Sequence, residues 1–418
     1  MSILDKITKK RICTGCGTCY SVCPLDAIQI KEDFEQGINL PKIDESICSE
    51  CGLCLNICPQ NSLLKGIENP NDFFGSMQYC FYGCSANYHL RIESTSGGLA
   101  TAISSFCLEQ GIVSSVVNVI PNEDNPLRYR ATLSTTVKDI MKNKGAKYCP
   151  VSLNVILKEI AKRKSEDCLY IGLPCHVKGL KKAMEFLPEL HTKIKYVITI
   201  FCGNVPNFKG TDFILDKYKI KKESVKKLDY RGRGWPGGMS ISCSGQDRFL
   251  PSKEYWNKYF ANYYFISDYC FVCDDLFGRE GDISIGDAWL PRFSEDNQGT
   301  SIGIARTSKG SQLLDKCVEN GCIYLNHIEK KEVLRSQLEK VKFKTGAYGW
   351  RKAFLLGEYK KFLNIDSSLG YNSLILSNNF LSKNVFFKYF LLNYFGNIYF
   401  RILAKLRFKL LRLIEDFS

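Results

Sequence analysis

Two copies of one cysteine spacing near the N-terminus constrain the fold of this chain more than any other feature. In the first copy, intervals of two, two and three residues separate the cysteines and a proline follows: Cys13, Cys16, Cys19, Cys23 and Pro24. The second copy repeats the pattern with Cys48, Cys51, Cys54, Cys58 and Pro59. Ligands this close in sequence can surround one compact inorganic group, so the chain is expected to wrap around two such groups.

This spacing is typical of bacterial two-cluster ferredoxins, in which each cluster takes three thiolates from one copy and the fourth from the other. It predicts two 4Fe-4S clusters, one on Cys13, Cys16, Cys19 and Cys58 and one on Cys48, Cys51, Cys54 and Cys23. A zinc site would favour paired cysteines over runs of three. Disulfides are disfavoured because no apolar signal segment precedes the first copy. We therefore predict a cytoplasmic location, which includes the inner face of the membrane.

The composition limits which classes of partner the chain is expected to bind. The 418 residues are 45% apolar, which suits more than one domain with substantial cores. The formal charge of +14 could attract nucleic acid, but thiolate clusters carry negative charge that offsets part of it. No zinc-finger, helix-turn-helix or RNA-recognition pattern accompanies the basic residues, so we predict no nucleic-acid partner. The apolar run at 389–400 is shorter than the ~20 residues that a membrane span needs.

The order of patterned segments predicts an α+β and α/β fold. A ferredoxin-like domain with two 4Fe-4S clusters is expected at 1–67, with short strands at 28–30 and 38–40. Turn-forming residues at 69–72 then suggest a linker. Alternating patterns follow, with helices predicted at 99–109 and 151–162 and strands at 111–120, 168–171 and 195–201. The last part, 336–418, is expected to be a helical tail.

Four segments of the body carry residues suited to binding. Hydroxyl groups and glycines at 94–98 open a predicted helix and could present backbone N–H groups to an anion, although an ordinary helix cap has the same pattern. The other three hold cysteines or follow them: 172–180, 201–206, and 270–274 with its continuation to 289. Their four cysteines could converge on one further cluster. By spacing alone, scattered core cysteines remain the alternative.

Together these segments resemble a known family. STSGG, GLPCHVKGL, FCGNVPN, CFVCD and DISIGDAW, in this order, resemble the beta subunit of coenzyme F420-reducing hydrogenases and dehydrogenases. The resemblance extends over 79–309, and the family is itself similar to chlorophyll-pathway reductases. It implies a non-Rossmann α/β flavoprotein that holds FAD beside a 4Fe-4S cluster. The implied N-terminal and C-terminal regions of the subunit are 75–155 and 156–335.

The resemblance also implies individual site residues. The third cluster would be held by Cys175, Cys202, Cys270 and Cys273. Flavin contacts would come from Thr95, Ser96, Gly97 and Gly98, and from Lys147 and Tyr148 in a second segment at 144–148. This sequence departs from the family where glutamine usually follows the second segment, where His176 replaces glutamine, and where Gly203-Asn204 replaces His-Gly.

Two residues are candidates for catalytic roles. Lys147 could favour an anionic reduced flavin, and the alternative is a solvated surface lysine. His176 could donate to a cluster sulfur or relay a proton, and the alternative is a packed histidine. The remaining cysteines lack ligand spacing and are expected in the core: Cys80, Cys84, Cys107, Cys149, Cys168, Cys243, Cys317 and Cys322. Among them, Cys149 lies next to the proposed flavin segment.

These features predict an FAD- and 4Fe-4S-dependent oxidoreductase. It would exchange electrons with a ferredoxin or other redox protein and reduce or oxidise a small molecule. A deazaflavin-like compound or another organic substrate, including a cell-surface polysaccharide intermediate, is the expected class. The alternative is a non-catalytic electron-transfer subunit of a larger redox complex.

The C-terminal segment 385–416 has the pattern of a basic amphipathic helix. Arg401, Lys405, Lys409 and Arg412 share one helical face, and aliphatic residues fill most of the other. Such a helix can lie on an anionic membrane surface, and the alternative is packing on this chain or on a partner.

The membrane hypothesis predicts that the intact chain sediments with anionic liposomes at low salt, whereas a chain ending at Asn379 does not. Sedimentation of both forms against neutral and anionic vesicles measures this. Equal behaviour of the two forms would contradict it.

Overall fold

The computed structural model describes residues 3–64, 72–163 and 167–345. The predicted amphipathic helix at 385–416 lies outside these ranges. Among the helices within them, none combines the length and apolar character needed to cross a bilayer.

Thirteen strands and fifteen α-helices are described, with short helical turns between them. The strands are β1 (Ile28–Asp33), β2 (Ile38–Ile43), β3 (Tyr79–Ser85), β4 (Ser115–Pro121), β5 (Tyr129–Ser134), β6 (Cys168–Gly172), β7 (Ile194–Ile200), β8 (Val225–Asp229), β9 (Gly238–Cys243), β10 (Arg248–Pro251), β11 (Ile283–Asp287), β12 (Ser301–Ala305) and β13 (Ile323–Ile328). The α-helices are α1 (Asp5–Thr8), α2 (Thr18–Val22), α3 (Leu53–Asn56), α4 (Asn61–Leu64), α5 (Tyr88–Glu93), α6 (Leu99–Glu109), α7 (Val137–Lys142), α8 (Leu157–Lys162), α9 (Pro174–Met184), α10 (Glu189–Lys193), α11 (Phe208–Lys217), α12 (Ser252–Tyr255), α13 (Ser308–Glu319), α14 (Lys330–Ser336) and α15 (Leu338–Thr345). The turns are 3₁₀-helical at Leu153–Ile156, Lys222–Ser224, Asp268–Val272 and Pro291–Phe293, and π-helical at Trp256–Phe260.

The body is built on one mixed sheet of eight strands, in the order β13-β3-β12-β11-β7-β6-β4-β5. β4, β6, β7 and β11 are parallel, and β12 pairs antiparallel with both β11 and β3. β3 therefore runs in the same direction as the parallel strands. Their carboxyl ends all lie at one edge of the sheet, which is where ligands bind in sheets of this kind.

Apolar residues bury both faces of this sheet. α6 and α13 pack on one face around Ile103, Leu313 and Ile285. α8 and α9 pack around Leu157, Leu180 and Tyr170. The three-stranded sheet of β8, β9 and β10 has a separate core with α11. The mixed α/β body thus agrees with the predicted fold class.

The N-terminal region contains the two short strands that the sequence predicts. β1 and β2 form an antiparallel hairpin in which Ile28 pairs with Ile43. Gly37 turns the chain with a φ of 68°, a conformation that glycine adopts without strain. α2 and α3 each follow the early cysteines of one repeat, so the two cysteine runs form equivalent turn-and-helix units.

Several predicted elements match the structure and two differ. α6 has the predicted bounds, and β6 and β7 lie within one residue of theirs. β4 begins at Ser115 because 111–114 form the turn that leaves α6. The predicted helix at 151–162 is instead the 3₁₀ turn Leu153–Ile156 followed by α8, because Ser152 and Asn154 bond to the N-terminal region.

Asn154 joins the N-terminal region to the body. Its backbone N–H donates to Cys16 O at 2.8 Å, and its buried side-chain amide donates to Thr18 Oγ1 at 2.8 Å and to His176 O at 2.9 Å. The Tyr170 hydroxyl donates to its Oδ1. One side chain therefore satisfies polar groups of α2, α9 and β6 at once.

We predict that Asn154→Leu lowers the free energy of unfolding by at least about 3 kcal/mol. An apolar side chain of similar size removes three buried hydrogen bonds, including that of the Tyr170 hydroxyl, and each loss costs about 1–3 kcal/mol. Anaerobic urea unfolding followed by circular dichroism measures the loss. Asn320→Leu is the control, because the Asn320 side chain is exposed and makes one bond, to Lys316 O. Equal effects of the two substitutions would contradict the prediction.

Candidate redox site

The eight N-terminal cysteines surround two cavities. Cys13, Cys16, Cys19 and Cys58 line one cavity. Cys23, Cys48, Cys51 and Cys54 line the other. Each set takes three thiols from one repeat and the fourth from the other repeat. The structure thus brings together the two sets that the spacing predicts.

The donor chemistry of these sets fits a four-iron cluster. Burial, followed by the neighbouring Cys16 thiol, raises the pKa of Cys13 to about 12, and burial raises the pKa of Cys54 to about 11. Without metal the thiols of Cys13 and Cys54 therefore stay protonated at neutral pH, and binding iron would release their protons. No three ligand-type side chains in the described ranges are close enough to share one metal ion. Four thiolates on the corners of a cluster stand further apart than the ligands of one ion.

The four cysteines of the body also lie together. Cys175 is in the first turn of α9, which begins at Pro174 directly after β6, and Cys202 follows β7. Both are thus at the carboxyl edge of the sheet. Cys175 packs against the small buried cluster that contains Cys273, and the N–H of Cys202 donates to Leu276 O at 2.9 Å. Cys270 completes the group, because its thiol is a close electrostatic neighbour of Cys175 and Cys202.

The group has the donors expected of a cluster site. Burial raises the pKa of Cys202 to about 12, as it does for Cys13. Ser267 Oγ donates to Cys270 Sγ at 3.2 Å. Asn204 follows Cys202, is 8% exposed, and its amide has no partner among the described residues. A buried amide without a partner is costly, and a cluster sulfur would accept its N–H.

The first N-terminal set and the body set are adjacent. Cys16 is among the neighbours that raise the pKa of Cys175, after burial and the nearer thiols. Tyr170 is near both sets, since the thiols of Cys16 and Cys175 both contribute, after burial, to its raised pKa. The second N-terminal set is further out, and its Cys51 is exposed to solvent. The three sets therefore form a series from the surface to the sheet edge.

The sequence analysis did not identify a lysine at the body set. Lys344 of α15 is 2% exposed, and its Nζ lies 3.0 Å from Cys273 Sγ. Burial opposes its charge, but the negative charge that Cys273 and Cys202 carry as thiolates outweighs burial and raises the pKa of Lys344. Lys344 is far from Cys273 in the sequence and lies in a lysine-rich helix, so no local sequence pattern could have revealed this contact.

The predicted flavin segments meet at the same sheet edge. Thr95 Oγ1 accepts a hydrogen bond from the N–H of Ala146 at 2.7 Å, which joins the glycine-rich turn to the second segment. Ser96 Oγ donates to Thr300 O at 2.8 Å. Gly97 has no room for a side chain, because a Cβ would lie 2.6 Å from Gly83 O. Gly98 adopts a φ of 77° and begins α6 without a side-chain cap.

A buried ion pair adds to this edge and was also missed. Arg231 Nη1 bonds Asp287 Oδ2 at 2.5 Å and the Tyr148 hydroxyl at 3.2 Å. Arg231 Nη2 and Trp235 Nε1 are buried without partners in the described part of the chain. The glycine-rich sequence around them, residues 231–238, was the available signal. Unpaired donors beside aromatic rings suit a planar ligand with several acceptors, as a flavin is.

This edge is continuous with the body cysteines. The N–H of Phe201 donates to Ile285 O at 2.8 Å, which aligns the ends of β7 and β11. Cys202 is the residue after Phe201, and Asp287 is at the end of β11. The thiol set and the Arg231–Asp287 pair therefore occupy neighbouring strand ends.

The two catalytic candidates have structural contacts. Lys147 Nζ donates to the carbonyl oxygens of residues 143, 144 and 145 at 2.9–3.2 Å, which uses all three of its protons, and burial lowers its pKa to about 8. His176 Nε2 lies 3.1 Å from Val151 O, and Nδ1 accepts from Leu173 N at 3.4 Å. Burial lowers the pKa of His176 to about 4, so the ring is neutral at pH 7. Tyr148, which follows Lys147 in the predicted flavin segment, packs on Trp256 with 4.4 Å between ring centres.

The other cysteines lie apart from the three sets. Five of them are buried: Cys80, Cys107, Cys149, Cys168 and Cys317. Cys84, Cys243 and Cys322 are half-buried. Burial raises the pKa of Cys149 to about 12, so its thiol is protonated at neutral pH and is poorly nucleophilic.

Comparison with known proteins finds three matches along the chain. Residues 80–158 and 165–331 match the N-terminal and C-terminal parts of the coenzyme F420 hydrogenase/dehydrogenase beta subunit. Residues 12–62 match a 4Fe-4S dicluster domain, which supports two 4Fe-4S clusters in the N-terminal region.

Two relatives and one solved structure illustrate the similarity. The coenzyme F420-dependent sulfite reductase of Methanocaldococcus jannaschii is 26% identical over 79% of this chain, which spans 50% of that protein's length. The coenzyme F420 hydrogenase subunit beta of Methanothermobacter thermautotrophicus is 25% identical over 62% of this chain and 87% of its own length. A chain of the F420-reducing NiFe hydrogenase complex from Methanosarcina barkeri shares the fold, with a TM-score of 0.52, 21% identity, and coverage of 66% of this chain and 93% of that chain.

The comparisons thus bear out the resemblance stated from the motifs, and they are consistent with an oxidoreductase that contains iron–sulfur clusters. Both halves of the beta subunit match in their expected order, after a dicluster domain. This chain belongs to the coenzyme F420 hydrogenase/dehydrogenase beta-subunit family.

Proposed function

We propose that this chain is an FAD-dependent oxidoreductase in which three 4Fe-4S clusters connect a redox partner to a flavin. The observation that carries the proposal is the series of thiol sets. The set with exposed Cys51 is outermost, the set with Cys16 is next, and the set with Cys175 is innermost. Clusters at these sets would pass single electrons between the protein surface and the sheet edge.

The flavin assignment rests on the residues beyond the innermost set. A flavin exchanges two electrons with a substrate and single electrons with a cluster, so it would convert one kind of transfer into the other. The turn at 94–98, the unpaired donors of Arg231 and Trp235, and Tyr148 would hold it. Arg231 is buried and paired with Asp287, so its position is fixed before any ligand binds.

The residues of the chain would position the flavin and exclude water from it. Thr95 holds the two flavin segments together, and the Trp235 and Trp289 rings, 4.5 Å apart, form an apolar wall. Lys147 would support the backbone of its segment, since its three N–H groups bond carbonyl oxygens there. His176 would hold the start of α9, and with it Cys175, in place.

The substrate class follows from the relatives. Several are named for coenzyme F420, so a deazaflavin is the two-electron partner that we propose first. The carbohydrate substrate stays a prediction from the sequence. A second candidate function is a non-catalytic electron-transfer subunit, and the solved relative favours it because it is one chain of a hydrogenase complex. Turnover of a deazaflavin by the isolated chain with a chemical reductant would separate the two.

The cofactor assignment predicts the composition of the purified protein. Anaerobic isolation followed by iron, sulfide and flavin determination should give about twelve iron atoms and about one FAD per chain, since each cluster holds four irons. About eight irons without flavin would contradict the third cluster and the flavin.

Two cysteine substitutions test the third cluster. Cys270→Ser and Cys273→Ser should each remove about four irons and leave the two N-terminal clusters in place, because those use separate thiols. Iron content and electron paramagnetic resonance (EPR) spectra measure this. Cys317→Ser is the matched control, because that cysteine is fully buried but has Cys107 and Cys322 as its thiol neighbours and no member of the three sets. Full iron retention in the Cys270 and Cys273 variants would refute the ligand assignment.

A further inference from the structure

α15 forms one wall of the innermost thiol set. It begins at Leu338, after the last residue, 331, that matches the beta-subunit family. The Phe343 ring stacks on Tyr263 with centres 4.0 Å apart and 14° between planes. Cys270 packs against the same pair of rings. The helix is therefore held on the site by its apolar side chains.

The same helix places a charge inside the site. Lys344 Nζ is 3.0 Å from Cys273 Sγ, 3.4 Å from Cys273 O and 3.2 Å from Asp275 O. All three ammonium protons are thus directed at the loop that carries Cys273. In the described ranges, no carboxylate oxygen lies within 4.0 Å of this nitrogen.

A buried ammonium without a carboxylate needs another source of negative charge, because burying an unpaired cation costs several kcal/mol. A cluster with four thiolates supplies that charge. It carries a net charge of about −2 when oxidised and about −3 when reduced. A cation in contact with a ligand sulfur therefore stabilises the reduced cluster more than the oxidised one.

We infer that Lys344 is the counter-cation of the third cluster and raises its reduction potential through the N–H···S contact with Cys273. The inference rests on the proposed function, because it requires the third cluster. The step concerned is the uptake of one electron by the oxidised cluster, from the N-terminal clusters in the protein or from dithionite in a titration. No bond forms or breaks, and Lys344 keeps its proton.

Lys340 provides a matched control on the same helix. It lies one turn earlier, and its Nζ donates to the Tyr263 hydroxyl at 3.0 Å instead of to sulfur. Its side chain covers Gly203, where a Cβ would lie 2.7 Å from Lys340 Cδ. Substituting Lys340 thus removes a neighbouring cation from the same wall but leaves the sulfur contact intact.

The test is an anaerobic redox titration of the full chain followed by EPR. The signal of the third cluster is the difference between the wild-type spectrum and that of Cys273→Ser. We expect Lys344→Met to lower the equilibrium constant for reduction at least about tenfold, which is about 59 mV for one electron. Lys344→Arg and Lys340→Met should each change it less than about threefold, because one keeps the charge and the other keeps the contact.

Each outcome decides the inference. The inference is overturned if the third cluster of Lys344→Met has the same reduction potential as that of the wild type. It is also overturned if Lys344→Arg or Lys340→Met shifts the potential as much as Lys344→Met does. If Lys344→Met loses the cluster, retention of about twelve irons in Lys344→Arg supports the inference, and loss from both overturns it. A wild-type chain with about eight irons instead refutes the proposed function. The two failures are therefore distinguishable.

Discussion

One buried amide is central to the contact between the N-terminal region and the body. Asn154 bonds the backbone of Cys16, the hydroxyl of Thr18 and the carbonyl of His176, while Tyr170 donates to it. Cys16 belongs to one thiol set, and His176 follows Cys175 of another. The network therefore fixes the separation between two proposed clusters. A polar network that is fully satisfied in this way is rigid, and electron transfer between fixed centres benefits from that rigidity.

The sheet determines where everything else lies. Parallel β6, β7 and β11 end at one edge, and the following residues include Cys175, Cys202 and Trp289. β3 runs in the same direction, so the turn at 94–98 returns to that edge and meets the start of β12. Thiols and flavin segments that are far apart in sequence thus become neighbours. The topology accounts for their proximity without any long insertion.

Much of this arrangement follows from the sequence. The doubled cysteine spacing predicted both N-terminal sets, and the strand patterns at β6 and β7 placed Cys175 and Cys202 at strand ends. These signals are strong because they are local: cysteines only a few residues apart must bind the same cluster. The resemblance then assembled the four body cysteines, which spacing alone left open.

Other contacts were inaccessible to that reasoning for physical reasons. Lys344 reaches Cys273 only because α15 packs through Phe343 on Tyr263, and such packing has no sequence pattern. Arg231 appeared as one basic residue among many until burial and Asp287 distinguished it. Lys147 and His176 were singled out for their chemistry, but their polar atoms bond backbone groups, which depends on the local chain path.

The spread of the body thiols along the chain bears on how the protein is made. All eight N-terminal cysteines lie within residues 12–62, so a short nascent segment already contains both sets. The third set needs Cys175 and Cys273, and its wall needs α15, so it is complete only when residue 345 has been added. Under the proposed assignment, the ligands of the innermost cluster are therefore the last to be synthesised. The helix that carries its counter-cation follows them and closes the site.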